Sequence, residues 1–190
     1  GSVISSTTEN GCVVTNGMSE HARDGANANS ALLVGVGPAD FGSAHPLAGV
    51  EFQRRWERAA FSAGGGDYSA PAQLLGDFLA ERPTRKFGGV RPTLLPGVRP
   101  ADLRECLPEY VCGALRRAFP EFDRSLRGFA MDEAVLTAQE QIADIVGPAR
   151  GLRSRGTAAR GVGGVATSAD QPVVHELELI GRSGIQQKAD

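Results

Sequence analysis

All eleven aromatic residues, eight Phe, two Tyr and one Trp, fall between Phe41 and Phe129. Aromatic side chains bury the largest apolar areas open to a small protein, so the middle of the chain has to supply the core and the two flanks have to pack on it. A length of 190 residues allows one domain, or two small ones, around that middle. With 25 Gly and 11 Pro the chain is rich in loops but still foldable.

The first flank reads as strand. Val3-Ile4-Ser5-Ser6 and Cys12-Val13-Val14-Thr15 are rich in β-branched residues and are separated by Asn10-Gly11, a pair suited to the positive φ angles of a tight hairpin turn. Ala31 to Val36 is a third apolar run, bounded by Gly37-Pro38. Between these strands, Asn16 to Ser30 carries one large apolar side chain, Met18, among Asn, Ser, Arg and His. Such a stretch is expected to be a loop outside the core, and loops of that length are functional or merely solvated. Its amides and guanidinium suit the orientation of a polar ligand, while its Asn and Gly equally suit plain turn geometry. Both readings stay open on composition alone.

The middle reads as helical over about 46–129. Pro46 is suited to opening a helix in which Phe52, Trp56, Ala59 and Ala60 share a face and Glu51, Arg54, Arg55 and Arg58 point away, with Gly64-Gly65-Gly66 as its stop. Pro71 predicts the start of a second helix with Leu74, Leu75, Phe78 and Leu79 on its apolar face, ended by Pro83. Residues 83–100 hold four Pro and three Gly, the pattern of an extended wrapping arm. Helical spacing returns from Leu103 to Ala118, where Pro108 should break or kink it. Pro120 and Gly128 should bracket a last short turn, and Ala134 to Thr137 looks like a returning strand. From Ala138 onward there is no aromatic residue, and Arg150, Arg153, Arg155 and Arg160 sit among Gly, Ala and Ser, a composition expected to be poorly ordered. Val173 to Ile180 allows one amphipathic strand. The fold class is therefore α+β, a small mixed or antiparallel sheet with an inserted helical segment.

Several chemistries are disfavoured. Twenty Lys and Arg against 22 Asp and Glu leave a formal charge of −2, so no chain-wide basic field exists to hold nucleic acid or a membrane surface. No apolar run reaches spanning length, and three cysteines without Cys-x-x-Cys spacing suit a reducing cytoplasm. His21, His45 and His175 form no ligating pair, so no metal site is expected. Gly35-Val36-Gly37 follows a strand, but a dinucleotide turn would need a third Gly where Asp40 stands. Cys106 and Cys112 read as buried small hydrophobes.

The strings Val14 to Ser19, Ala22 to Gly25 and Asn27 to Val34 resemble a family of bacterial FAD-dependent oxidoreductases, the NAD/FAD-utilising dehydrogenases. The likeness continues through His45 to Gln53, Tyr68 with Ala70 to Gln73, Gly76 to Leu79 and Asp102 to Pro108, and so covers about Val3 to Thr137. It implies a cap or substrate domain over residues 1–137, with a divergent tail over 138–190. It implies FAD as cofactor, NAD(P)H as electron donor, a small-molecule substrate, and hydride or electron transfer at the flavin. It further implies that the nucleotide-binding half is a missing partner without which the chain is inactive. The substrate or flavin edge would meet Asn16, Gly17, Met18, Ser19, Arg23, Asn27 and Asn29, with Gly17 permitting close backbone approach. Arg104 and Glu105 are second-rank candidates, and no catalytic residue is assigned. The competing reading is a non-catalytic binding or scaffold module that keeps the cap fold and uses its Arg-rich tail for partners.

Overall fold

The structure is a computed structural model that describes residues 2–7, 9–18, 21–22, 25–141 and 173–182. Two strands, β1 (Ser2–Ser6) and β2 (Val14–Met18), pair antiparallel from Ser2↔Met18 to Ser6↔Val14. The expected hairpin is present, but its connection runs from Thr7 to Val13 and is no tight turn. Gly11 takes φ +75° while Cys12 and Val13 leave the strand to be buried. The Val13 amide donates to the Glu57 carbonyl, and Arg54 donates to the Glu9 carboxylate at 2.6 Å, so the connection is tied to the next helix.

A five-stranded mixed sheet forms the centre, in the order β3-β7-β6-β4-β5. Its strands are β3 (Asn27–Val36), β4 (Ala70–Leu74), β5 (Val98–Pro100), β6 (Val135–Gln141) and β7 (Val173–Arg182). All pairs are antiparallel except β4 with β5. The α+β class with a mixed sheet is thus what the sequence suggests. The expected strand Val173–Ile180 is β7, and it sits between β3 and β6, joining the first flank to the middle. Of the tail from Ala138 onward that is expected to be poorly ordered, residues 138–141 and 173–182 are strand, and the Arg-rich stretch between them lies outside the described residues.

Helix α1 (Ala48–Ala63) starts two residues after Pro46 and stops at Gly64, where it was expected to stop. The predicted helix from Pro71 is corrected. Ala70 to Leu74 is strand β4, and only Leu75–Leu79 is helical, as α2. Pro71 is tolerated because the β6 ladder ends at Ala72↔Thr137, one residue short of the position that would need its amide. Pro108 does break the third helical region: a 3₁₀ turn (Leu103–Glu105) precedes it and α3 (Glu109–Ser125) follows. The break expected at Pro120 is also corrected, since α3 runs through it. Phe122 meets Phe119 and Phe129 edge-on, and Phe119 packs tilted against Phe129, which anchors the last turns.

Side chains alternate across the sheet. Leu32, Leu136, Ala138 and Leu179 face one side and meet Leu75, Phe78, Leu103, Leu115 and Phe119 in the larger core. Val135, Ala70, Ala72 and Ile180 face the other, under Val3 of the hairpin and Val90 and Leu94 of the arm. Residues 83–97 therefore wrap the sheet as expected, before three residues pair as β5.

Candidate functional site

Five of the seven expected site residues flank the β2–β3 connection. Asn16, Gly17 and Met18 are the last residues of β2 and Asn27 and Asn29 the first of β3, so the polar segment is strand at both ends and only residues 19–26 connect. The expectation of a fifteen-residue loop outside the core is corrected accordingly. Asn and Gly disfavour strands on propensity, but cross-strand partners on β1 and β7 override it. Ser19 and Arg23 lie outside the described residues.

Alternation fixes which groups face out. Ile4 stands opposite Asn16 and Ser2 opposite Met18, and these four form the outer face of the hairpin. Ile4, Asn16 and Met18 are exposed, whereas Val3, paired with Gly17, is buried beneath. The outer face thus joins an amide to two flexible apolar side chains, a surface able to hydrogen-bond and stack against a flat polar ligand. Asn27 is only 6% exposed, and its Nδ2 donates to the Arg91 carbonyl at 2.9 Å. That bond ties the arm to the start of β3.

Two charged clefts went unsuspected in the sequence. One, of about 270 Å³, is lined by Glu81, Arg104, Glu109, Cys112 and Arg116. Arg116 pairs with Glu81 at 2.5 Å, and Glu81 sits in the left-handed region at φ +55°. Arg104, a second-rank candidate, is held by Asp102 at 2.5 Å, and this guanidinium keeps the Asp102 carboxyl below the usual range despite its burial. Glu105 is exposed and lines neither cleft. The other cleft, of about 490 Å³, is lined by Asp77, Arg82, Pro83, Arg85 and Lys86. Three cations against one carboxylate give it a surface complementary to an anion. The run Arg82 to Lys86 was the signal available for it.

The thiols are not poised for nucleophilic work. Cys12, Cys106 and Cys112 are free and buried. Burial first, then the neighbouring Glu57 carboxylate, pushes the Cys12 thiol up, and burial dominates at Cys106 and Cys112 as well. Among the described residues no group of His, Cys, Asp and Glu has the arrangement of a metal site, and no helix is long and apolar enough to cross a membrane.

The glycine turn after β3 does not fit a dinucleotide phosphate. After Gly35-Val36-Gly37 the chain enters a 3₁₀ turn (Pro38–Phe41), and the Gly37 amide donates to the Asp40 carboxylate at 2.8 Å. A carboxylate on the amide that should face a pyrophosphate repels that group.

The described residues define a small α+β domain whose β2 end and β3 start are polar and whose one described Gly-x-Gly turn is closed by Asp40. Residues 1–142 match the family described as FAD-dependent protein, C-terminal domain-like, and the chain belongs to that family. An uncharacterized protein of Clostridium beijerinckii is 49% identical over 140 residues, covering 74% of this chain and 26% of that protein. The chain therefore spans about a quarter of the length of this relative.

Proposed function

We propose that the chain is the substrate-side domain of an FAD-dependent oxidoreductase, and that the β2–β3 mouth meets the substrate or the polar edge of the flavin. The observation that carries this is the position of Asn16 and Met18. The family match makes the domain a companion of flavin, and these two exposed groups share one face at the end of β2. FAD, where it is bound, supplies hydride or electron transfer. The chain's own residues orient. The Asn16 amide donates or accepts at the ligand edge, Met18 covers a flat apolar surface, Gly17 keeps the backbone low, and Asn27 and Asn29 shape the opposite wall. By residue type, Ser19 and Arg23 would add a hydroxyl and a cation to that set. Binding of the dinucleotide itself falls to the rest of the protein, and the substrate is a small molecule.

The test is reconstitution. This chain is combined with the part of the Clostridium beijerinckii relative outside the matched residues, FAD is added, and flavin reduction is followed with NADH and NADPH as trial donors. Asn16→Ala should slow reduction or weaken substrate binding about five- to ten-fold, the loss of one hydrogen bond. Arg23→Ala should act in the same direction, and both should leave the melting temperature unchanged. Wild-type kinetics in both variants would remove the mouth from the site.

A further inference from the structure

Strand β3 is at the edge of the sheet, and its ten residues pair one-to-one with β7 from Asn27↔Arg182 to Val36↔Val173, without a bulge. At about 3.3 Å per residue that edge is roughly 33 Å long. Among the described residues no strand pairs with its other side, and the β1–β2 hairpin packs against it as a separate sheet. Natural proteins guard such edges with Lys, Pro, bulges or brevity. Asn-Ala-Asn-Ser-Ala-Leu-Leu-Val-Gly-Val has none of these: no charge, no Pro, no bulge and unusual length. Its centre is open as well. Leu33 is 62% exposed, Ala31 and Gly35 are exposed, and a Cβ built on Gly35 would meet nothing within 4 Å.

We propose that the outer edge of β3 at 31–35, with which no described strand pairs, is a strand-addition site for an extended segment of the FAD-binding part of the flavoprotein. This rests on the reading under Proposed function. The occupant follows from proportion and type. The matched region is 26% of the relative, and the family describes it as the C-terminal-like domain of an FAD-dependent protein, so most of such a protein lies outside this domain and is the nearest source of an extended segment. An added strand would satisfy the row of backbone donors and acceptors that β3 presents and cover Leu33 in the same step. β3 begins at Asn27, so the docked segment would also come to the mouth where Asn16 and Met18 stand.

The test uses the full chain with the remainder of the Clostridium beijerinckii relative, expressed separately and loaded with FAD. Hydrogen exchange is followed across residues 29–35, and affinity is measured for wild type, Leu33→Lys and Ala31→Lys, each checked for an unchanged thermal melt. Complex formation should slow exchange in 29–35, and each Lys should weaken binding about ten-fold or more, as expected for a central anchor. A tight complex that leaves exchange in β3 unchanged and tolerates both substitutions would overturn the edge as the docking site while leaving the flavoprotein reading standing. Slow exchange of 29–35 in the chain alone would overturn it in favour of cover by this chain's own residues if the chain is monomeric. If the chain dimerises with concentration, the same result would favour a second copy. Failure of any complex to form would overturn both the edge and the flavoprotein reading.

Discussion

Gln73 shows how one side chain can hold three segments together. It is 1% exposed on β4, donates from Nε2 to the Arg82 carbonyl at 2.8 Å, and accepts from the Leu103 amide at 2.9 Å. Gln73→Met keeps the volume but leaves two backbone groups unpaired, so it should cost roughly 2–4 kcal/mol in urea unfolding at about 1–3 kcal/mol per orphaned group, weighed against the small gain of an apolar side chain. Thr84 works alongside: its hydroxyl accepts from the Leu74 amide and donates to the Asp77 carboxylate. Burial pushes the Asp77 carboxyl up, but the Thr84 hydroxyl and the Arg82 guanidinium outweigh it and hold it below its usual range. Stability from Asp77 is therefore present above the ordinary Asp pKa and lost as pH falls through the lowered value. None of this was legible in the sequence, because Gln73 and Thr84 look like any polar residues until the topology brings Arg82 and Leu103 beside them. The thiols act with the opposite sign. Their raised pKa values mean that the folded chain keeps its thiol protons while the unfolded chain loses them, so stability should fall as pH climbs past about 8.5, the ordinary thiol value. Denaturant midpoints at pH 7 and pH 9.5 check this against a variant with Cys12, Cys106 and Cys112 replaced by Ala, in which the difference should shrink.

At the scale of elements, the turn from α1 into β4 leaves no room for a side chain at Gly64. A Cβ on Gly64 would lie 2.0 Å from the Ser69 carbonyl oxygen, so backbone would have to move. Gly64→Ala should destabilise by about 1–3 kcal/mol, as overpacking does, while Gly35→Ala, which meets open space, should stay within about 0.5 kcal/mol. Thermal melts of the two variants make the comparison. The stop at Gly64 and the break at Pro108 were legible because Gly and Pro act through the local backbone. β4 was not. Ala70-Pro71-Ala72-Gln73-Leu74 has no β-branched residue and a Pro suited to a helix start, and it becomes a strand because β5 and β6 bracket it. Likewise, Asn16 to Met18 and Asn27 to Ser30 are strand only because β1 and β7 pair with them. The types of the site residues were legible before their geometry was. That Asn27 is committed to the Arg91 carbonyl needed the arm in place.

At the scale of the whole molecule, the sheet is assembled from distant parts. β7 draws residues 173–182 between a strand that starts at Asn27 and one that starts at Val135. The aromatic middle does provide the larger core, and the hairpin and arm close the smaller one from the other face. The glycine turn that follows β3 is capped by Asp40. The central claim is that this domain serves an FAD-dependent protein without holding the dinucleotide alone. Its most direct test is to mix the purified chain with FAD, remove free cofactor, and read flavin absorbance, with and without the remainder of the Clostridium beijerinckii relative. The account predicts no retained flavin on the chain alone and retained flavin that co-purifies with the chain once the remainder is present. Stoichiometric FAD on the chain by itself, or flavin that never co-purifies with it, would contradict the account.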